Sequence, residues 1–253
     1  SFRECIRRDD EHAGTDRHVS QVLCQYEENR TVCIYRNEEV KMSIRVENLS
    51  FAYGEHQVLR DINLIVETGE KIGIIGVSGC GKSTFLKLLA GLYSPQKGIV
   101  EVQGARRPKD IRRHVAMVMQ SAMLFPASIK EDITCGNPMS EEVIRQACDA
   151  AQLSDWIATL PDGMDTFIGE RGGRVSGGQA QRIAIARAIA KGAPVVLLDE
   201  ATSALDGDTG NAVLSALENL AKGKTVTSVS HRPEALAGCS RVYRLEGGRL
   251  YNA

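Results

Sequence analysis

The sequence predicts an α/β protein with a mostly parallel sheet, an antiparallel β subdomain at its start and an inserted helical subdomain. Three observations predict this class. From residue 43 onward, strand-like apolar runs alternate with helix-like segments, which favours parallel strands joined by crossovers. A glycine-rich loop separates an isoleucine-rich run at 71–76 from an apolar helical pattern at 83–90. Residues 140–160 show apolar positions at helical spacing without β-branched runs, which indicates the helical insert.

Composition and charge exclude several classes of protein. The 253 residues suffice for one large domain, or for one domain with a subdomain. The net charge of −1 argues against nucleic-acid binding through bulk electrostatics. The 7 cysteines are scattered without a C-x-x-C pair, which favours a reducing cytosol over a disulfide framework or zinc site. No apolar run reaches the roughly 18–20 residues that a transmembrane helix needs.

The remaining elements follow along the chain. We predict strands at 44–49, 62–66, 98–102, 115–119, 194–198 and 225–230, and helices at 177–190 and 207–221. Gly247 and Gly248, between apolar runs at 241–245 and 250–251, predict a closing hairpin.

Residues 1–42 differ in texture and are predicted to be a linker or leader, which could come from a membrane domain. They are dense in mixed charge, and two short apolar runs flank a polar stretch at 27–30. A β-hairpin and an unstructured leader both fit this pattern. The start at Ser1 rather than Met fits a piece of a longer chain.

Residues 76–84 match the phosphate-loop pattern G-x-x-x-x-G-K-[ST], between a predicted strand and a predicted helix. Glycines let backbone N–H groups approach anionic oxygens, and the helix start adds a partial positive charge. Lys82 is a compact cation for the β- and γ-phosphates, and Ser83 offers a hard oxygen to Mg²⁺. The loop therefore predicts binding of Mg²⁺ and ATP.

Two carboxylates end a buried strand. The apolar run at 195–198 leads directly into Asp199 and Glu200, and α/β sheets bind ligands at the carboxyl ends of their strands. Strand alternation points the two side chains in opposite directions, so we expect different roles. Asp199 is predicted to lie in the Mg²⁺ shell and Glu200 to polarise the attacking water.

A second helix start also suits an anion. Ser176 is a good N-cap before the predicted helix at 177–190. Capping explains the serine but not Gly177 and Gly178, since each glycine costs roughly 1 kcal/mol inside a helix. Capping alone and an anion partner both remain open from the residues themselves.

From about residue 43 to 253, these motifs in this order resemble the nucleotide-binding domain of an ABC transporter. The segment 176–181 resembles the ABC signature, with Val175 where leucine is usual. Residues 195–200 resemble the Walker B strand, and 201–206 resemble the D-loop, which ends at Asp206.

Single residues then acquire implied roles. Gln120 resembles the Q-loop glutamine, His231 the switch histidine, and Tyr53 the aromatic that stacks on adenine. The segments 169–172 and 124–129 are similar to those of exporter-type domains.

The resemblance implies a P-loop NTPase core, with the helical subdomain (about 121–180) between Walker A and Walker B. ATP would lie between two such domains, one supplying the phosphate loop and Glu200, the other Ser176 and Gly178. His231 would hold the γ-phosphate and the water, and Gln120 would touch Mg²⁺ and report to the membrane part. The implied catalytic residues are Glu200, His231, Lys82 and Gln120; the metal ligands are Ser83, Gln120 and Asp199; and the nucleotide-binding residues are Tyr53, Gly76, Ser78, Gly79, Cys80, Gly81, Lys82, Ser83, Thr84, Gln120, Ser176, Gly177, Gly178, Gln179 and Asp206.

The expected function is ATP hydrolysis that powers export, at the cytoplasmic face of the cell membrane. The expected partners are a second ATPase domain, identical or different, and a transmembrane domain that is fused or separate. The cargo would be chosen by that membrane part. The alternatives are the ATPase of an importer and a soluble, non-transport ABC ATPase, which usually carries two ATPase domains or a long coiled coil.

Overall fold

The computed structural model describes residues 18–27, 30–39, 41–168, 175–201, 208–231 and 236–253. The chain divides into two compact units, Ser1–Met42 and Ser43–Ala253. In the first unit, strands β1 (His18–Glu27) and β2 (Arg30–Glu39) pair antiparallel, with Cys24 opposite Cys33. The paired strands agree with the hairpin alternative for these two ranges. The role of residues 1–42 as a linker or leader stays a prediction.

The second unit begins with a three-stranded sheet, which is the expected antiparallel β subdomain. It contains β3 (Met42–Tyr53), β4 (His56–Glu67) and β6 (Lys97–Val102) in the order β4-β3-β6. Strand β3 pairs antiparallel with β6, and the register shifts between Glu47 and Ser50. Gly98 lies at this irregularity with φ +84°, where an added Cβ would stand 2.2 Å from the Glu47 carbonyl oxygen. The shift therefore requires glycine.

A six-stranded, mostly parallel sheet forms the centre of the second unit and confirms the predicted fold class. Its strands are β5 (Lys71–Ile75), β7 (Val115–Val118), β8 (Val195–Asp199), β9 (Thr225–Val229), β10 (Arg241–Glu246) and β11 (Arg249–Asn252). The order is β11-β10-β5-β9-β8-β7. All neighbours pair parallel except β10 with β11, which form the expected closing hairpin.

Helices cover this sheet and build the inserted subdomain. They are α1 (Lys82–Leu89), α2 (Pro108–His114), α3 (Ile129–Thr134), α4 (Glu141–Ala150), α5 (Ser154–Ala158), a 3₁₀ turn (Gly163–Asp165), α6 (Gly177–Ala190) and α7 (Asp208–Ala221). The predicted insert at 140–160 is two helices, because Gln152 interrupts it with φ +58°. Helix α2 was not predicted; it is one short element with Pro108 in its first turn and only Ile111 buried.

Two apolar cores lie on either side of the six-stranded sheet. On β8, Val195 and Leu197 belong to one core, whereas Val196 belongs to the other. A parallel strand that is buried on both faces reads as a continuous apolar run, which is the pattern of residues 195–198. Among the described residues, no helix is long and apolar enough to cross a membrane. The polar side chains that the sequence predicted as site residues lie mainly at the carboxyl ends of the parallel strands.

Candidate active site at the carboxyl edge of the sheet

The phosphate-loop pattern forms the turn from β5 into α1, and either backbone conformation or close packing requires each of its glycines. Gly79 and Gly81 have φ +79° and +109°, a region that non-glycine residues rarely adopt. A Cβ on Gly76 would stand 2.6 Å from the Leu245 carbonyl oxygen and 2.7 Å from the Cys80 sulfur. Gly81 caps α1 without any side-chain hydrogen bond. The first N–H groups of α1 are therefore not satisfied by a side-chain cap at that position, which suits an anion.

Lys82 lies at the centre of the loop and is only 5% exposed. Its ammonium donates to the carbonyl oxygens of Gly76 and Val77, at 2.8 and 3.0 Å. The same Nζ lies 3.8 Å from Glu200 Oε1. A buried cation attracts charged phosphate oxygens strongly, and the Glu200 carboxylate offsets part of this attraction.

The first turn of α1 contacts the end of β8. Ser83 Oγ donates to Asp199 Oδ1 at 3.0 Å, and Asp199 is 6% exposed. Burial raises the pKa of the Asp199 carboxyl, and the Ser83 hydrogen bond and the charges of Lys87 and Lys82 oppose that rise. Two hard oxygen atoms, one of them on a buried carboxylate, are the protein ligands that Mg²⁺ takes beside phosphate oxygens. The residues present therefore fit Mg²⁺.

Glu200 lies between two nitrogen-bearing side chains. Its carboxylate has Lys82 Nζ at 3.8 Å on Oε1 and His231 Nδ1 at 3.4 Å on Oε2. Its backbone is left-handed, with φ +47°, and its N–H donates to the Val229 carbonyl at 3.0 Å. Glu200 has thus left the extended conformation, so a turn of the backbone, rather than strand alternation, separates it from Asp199. Strained backbone of this kind is concentrated at functional sites.

Sheet register brings further predicted residues to the same edge. Strands β7 and β8 pair Val118 with Leu198, so Gln120 follows β7 beside the end of β8. Gln120 is exposed there. His231 follows β9, which lies between β5 and β8. The structure therefore brings the phosphate loop, Asp199, Glu200 and His231 together, with Gln120 on the neighbouring strand end.

Tyr53 joins this group through an aromatic cluster. Its Oη shares a 3.3 Å hydrogen bond with Thr84 Oγ1 of α1. Its ring packs edge-on against Phe51 and Tyr93, with centroids 5.1 and 5.9 Å away, and those two rings stack on each other. The neighbouring Tyr53 hydroxyl raises the pKa of the Tyr93 hydroxyl, through hydrogen bonding and charge. Sequence reasoning missed Phe51 and Tyr93; only the aromatic pattern around Tyr53 hinted at them.

The start of α6 forms a second group. Ser176 Oγ accepts from the Gln179 N–H at 3.3 Å, while Gln179 Oε1 accepts from the Ser176 N–H at 2.8 Å. This capping box explains Ser176 and Gln179 within the helix. A Cβ on exposed Gly177 would meet nothing within 4 Å, so packing inside this chain does not account for that glycine. Asp206 lies outside the described residues.

One buried side chain near both groups was not singled out from the sequence. Gln181, in the first half of α6, is 5% exposed. Its Nε2 donates to the Met119 carbonyl at 3.2 Å and, at a longer 3.5 Å, to the Ala201 carbonyl. Its place five residues after Ser176 was visible in the sequence, but its two distant partners were not.

Comparisons with known proteins agree on one family. The family model described as ABC transporter matches residues 59–203, which excludes Tyr53, Asp206 and His231. An ATP-dependent lipid A-core flippase of Burkholderia thailandensis is 40% identical over 216 residues, which are 82% of this chain and 36% of the flippase. The β-(1→2)glucan export ATP-binding/permease protein NdvA of Rhizobium etli is 41% identical over 219 residues, which are 84% of this chain and 37% of NdvA.

Structural similarity extends over the same part of the chain. The solved structure of a bacterial Atm1-family ABC exporter with ATP bound matches with a TM-score of 0.77 and 35% identity. The match covers 84% of this chain and 38% of the exporter chain. The chain therefore spans a little over a third of the length of these relatives.

Proposed function

The chain belongs to the ABC transporter family, and on that basis we propose that it binds and hydrolyses ATP to power export. The contacts of Glu200 carry this proposal: its carboxylate lies 3.8 Å from Lys82 and 3.4 Å from His231, at the edge of the phosphate loop. A general base, a phosphate-binding cation and a polar partner for the γ-phosphate would thus share one small space.

Binding of the triphosphate would use the loop between β5 and α1. Lys82 donates to two loop carbonyls, and anionic phosphate oxygens are stronger acceptors than neutral carbonyls. The ammonium can therefore turn towards the β- and γ-phosphates while the loop keeps its shape. The uncapped start of α1 adds N–H donors, and Tyr53 offers a half-exposed ring to the adenine.

Hydrolysis would follow from the position of Glu200. A water oxygen forms a bond to the γ-phosphorus, the bond to the β–γ bridging oxygen breaks, and ADP and inorganic phosphate result. Glu200 would accept the proton of that water, a general-base step worth about 10²–10⁴-fold. His231 would orient the water and the γ-phosphate. Gln120, which follows the neighbouring strand β7, would contact the bound Mg²⁺.

Ser83 and Asp199 would hold Mg²⁺, with Gln120 as a third oxygen donor. When bound, the ion neutralises charge on the β- and γ-phosphate oxygens. Ser83 already bonds to Asp199, so both oxygens are oriented towards one point before nucleotide arrives.

A second copy of the domain would complete the site. The start of α6 is a helix N-terminus whose Gly177 is exposed and has no packing requirement within this chain. Together with Ser176, Gly178 and Gln179, it would contact the γ-phosphate of ATP bound to the partner domain. Asp206 would lie near the same interface. The dimer can be formed by identical or different domains.

Export, rather than import or a soluble role, is favoured by the relatives. The flippase and NdvA are each about 40% identical to this chain over the matched residues. The name of NdvA describes an export ATP-binding/permease protein. We therefore place the domain at the cytoplasmic face of the membrane, next to a transmembrane domain that is fused or separate. No binding of nucleic acid is proposed.

The substitution Glu200→Gln tests this function, because it keeps the shape of the side chain and removes the base. We expect ATP affinity within about threefold of the original and hydrolysis lowered at least about 10²-fold. The variant should also elute as a dimer with ATP. Glu246→Gln, an exposed carboxylate at the end of β10, is the matched control and should hydrolyse ATP normally. Undiminished phosphate release from Glu200→Gln would refute the assignment.

A further inference from the structure

Helix α6 contacts the backbone next to the candidate site through the buried side-chain amide of Gln181. A side-chain amide nitrogen carries two N–H donors, so one Nε2 can bridge two carbonyl oxygens. Gln181 Nε2 does so, with the Met119 carbonyl at 3.2 Å and the Ala201 carbonyl at 3.5 Å. The two acceptors belong to different segments, one after β7 and the other after β8.

Each acceptor is next to a residue of the candidate site. The Met119 carbonyl belongs to the peptide that leads into Gln120, and Ala201 directly follows Glu200. The bridge therefore restrains the backbone beside both residues. The Gln181 side chain is only 5% exposed, so water competes little with it for the two carbonyl oxygens.

The backbone at Glu200 needs such restraint. Its φ of +47° is unfavourable for a residue with a Cβ and persists only when the surroundings hold it. On the near side, the Glu200 N–H donates to the Val229 carbonyl at 3.0 Å. On the far side, the Ala201 carbonyl accepts from Gln181. The left-handed residue is thus held between β9 and α6.

We infer that Gln181 is a positioning residue for ATP hydrolysis, which holds Glu200 in its left-handed turn and ties it to Gln120. Its amide nitrogen bonds to two backbone carbonyls, so it would act through these two backbone segments. Because the same helix begins at the Ser176 cap, the bridge also connects the start of α6 to Glu200 within one chain. This inference depends on the proposed function, since it assumes that Glu200 acts in hydrolysis.

The test is Gln181→Met in the 253-residue chain, which keeps the length of the side chain and removes both donors. At saturating ATP we expect kcat to fall at least tenfold, with the ATP Kd within threefold of the original. The matched control is Asn219→Leu on α7, which removes another side-chain amide bond, 2.9 Å to the Ala150 carbonyl of α4. It should lower Tm yet leave kcat within twofold.

A second comparison isolates the route of the effect. In the Glu200→Gln background, adding Gln181→Met should change the residual rate by less than twofold, because the base that it positions is already absent. If Gln181→Met does not fold, Gln181→Leu also removes both donors without adding a charge and is expected to show the same fall in kcat with unchanged Kd.

Two results would overturn the inference. One is a kcat for Gln181→Met, or for Gln181→Leu, within twofold of that of Asn219→Leu. The other is an equal loss of kcat and ATP affinity, which would indicate general packing. The proposed function fails separately, if Glu200→Gln alone keeps the original rate.

Discussion

Arg187 and Asp132 form a buried ion pair whose two halves should respond very differently to substitution. Asp132 is fully buried on α3, and the guanidinium of Arg187 on α6 bonds to its carboxylate. Arg187 also donates to the Met123 carbonyl at 3.0 Å through both terminal nitrogens, and its guanidinium carbon lies 4.9 Å from the centre of the Phe125 ring. The Phe125 N–H donates to Asp132 at 2.6 Å. The pair therefore holds the loop after Gln120 against α6.

The change Arg187→Met should cost about 3–5 kcal/mol of unfolding free energy, because it leaves the buried Asp132 carboxylate without its cation. For a domain of this size, each kcal/mol shifts Tm by roughly 2–4 °C, so Tm should fall by roughly 6–20 °C. Asp132→Asn keeps the shape and an acceptor oxygen but loses the charge. We expect it to cost less, about 1.5–3 kcal/mol, the range for hydrogen bonds to charged groups.

Urea unfolding and thermal melting measure these values, and Arg145→Met is the matched control. Arg145 also bonds to two carboxylates, Glu142 and Asp149, but on the exposed face of α4. Exposed ion pairs contribute little, so this variant should melt close to the original chain. Arg187→Met should also cost much less in the Asp132→Asn background, because no buried charge is then left unpaired. Equal effects of Arg187→Met and Arg145→Met, or additive losses in the double variant, would refute the reasoning.

Three further predictions concern thiol labelling and nucleotide binding. N-ethylmaleimide should inhibit ATP hydrolysis, and ATP should protect against it. The Cys80 sulfur lies 2.7 Å from the position that a Cβ on Gly76 would occupy, so an adduct on this sulfur crowds the phosphate loop. A Cys80→Ser variant that is still inhibited would contradict this. Burial raises the pKa of the Cys148 thiol to about 11, so at pH 8 it stays protonated, and mass spectrometry should find it unlabelled. Tyr53→Ala should weaken ATP binding by about 1–3 kcal/mol through lost stacking, measured by calorimetry. Tyr53→Phe keeps the ring and loses the hydroxyl with its bond to Thr84, so it should bind within a few-fold. Equal affinities for all three chains would reject the stacking role.

Much of the fold was accessible from local pattern. The apolar run at 195–198 indicated a strand that is buried on both faces, and β8 has neighbouring residues in two different cores. The glycine pair at 247 and 248 predicted the closing hairpin, which β10 and β11 form. The ABC transporter family and the exporter-type resemblance are confirmed by the comparisons.

Other elements were not predictable at this level. Helix α2 buries only Ile111, so it lacks the apolar stripe that periodicity detects. Strand β3 continues to Tyr53 and strand β4 begins at His56, well beyond the apolar runs at 44–49 and 62–66 that predicted these strands. Strand β3 lies between β4 and the distant β6, so tertiary pairing adds to what local propensity indicates.

The phosphate loop, the carboxylates after β8 and the helix start at Ser176 were all recognised from the sequence, because each motif is a short run whose chemistry depends on neighbouring residues. Their roles stay predictions until the substitutions above are measured.

The tertiary structure decided which of them meet: Ser83 bonds to Asp199, and Glu200 lies within 3.8 Å of Lys82 and 3.4 Å of His231. Those contacts join residues more than 30 positions apart, and they depend on the order of β5, β9 and β8 in the sheet. The same holds for Gln181, since one buried amide finds its two carbonyls only after α6 has packed behind the strand ends.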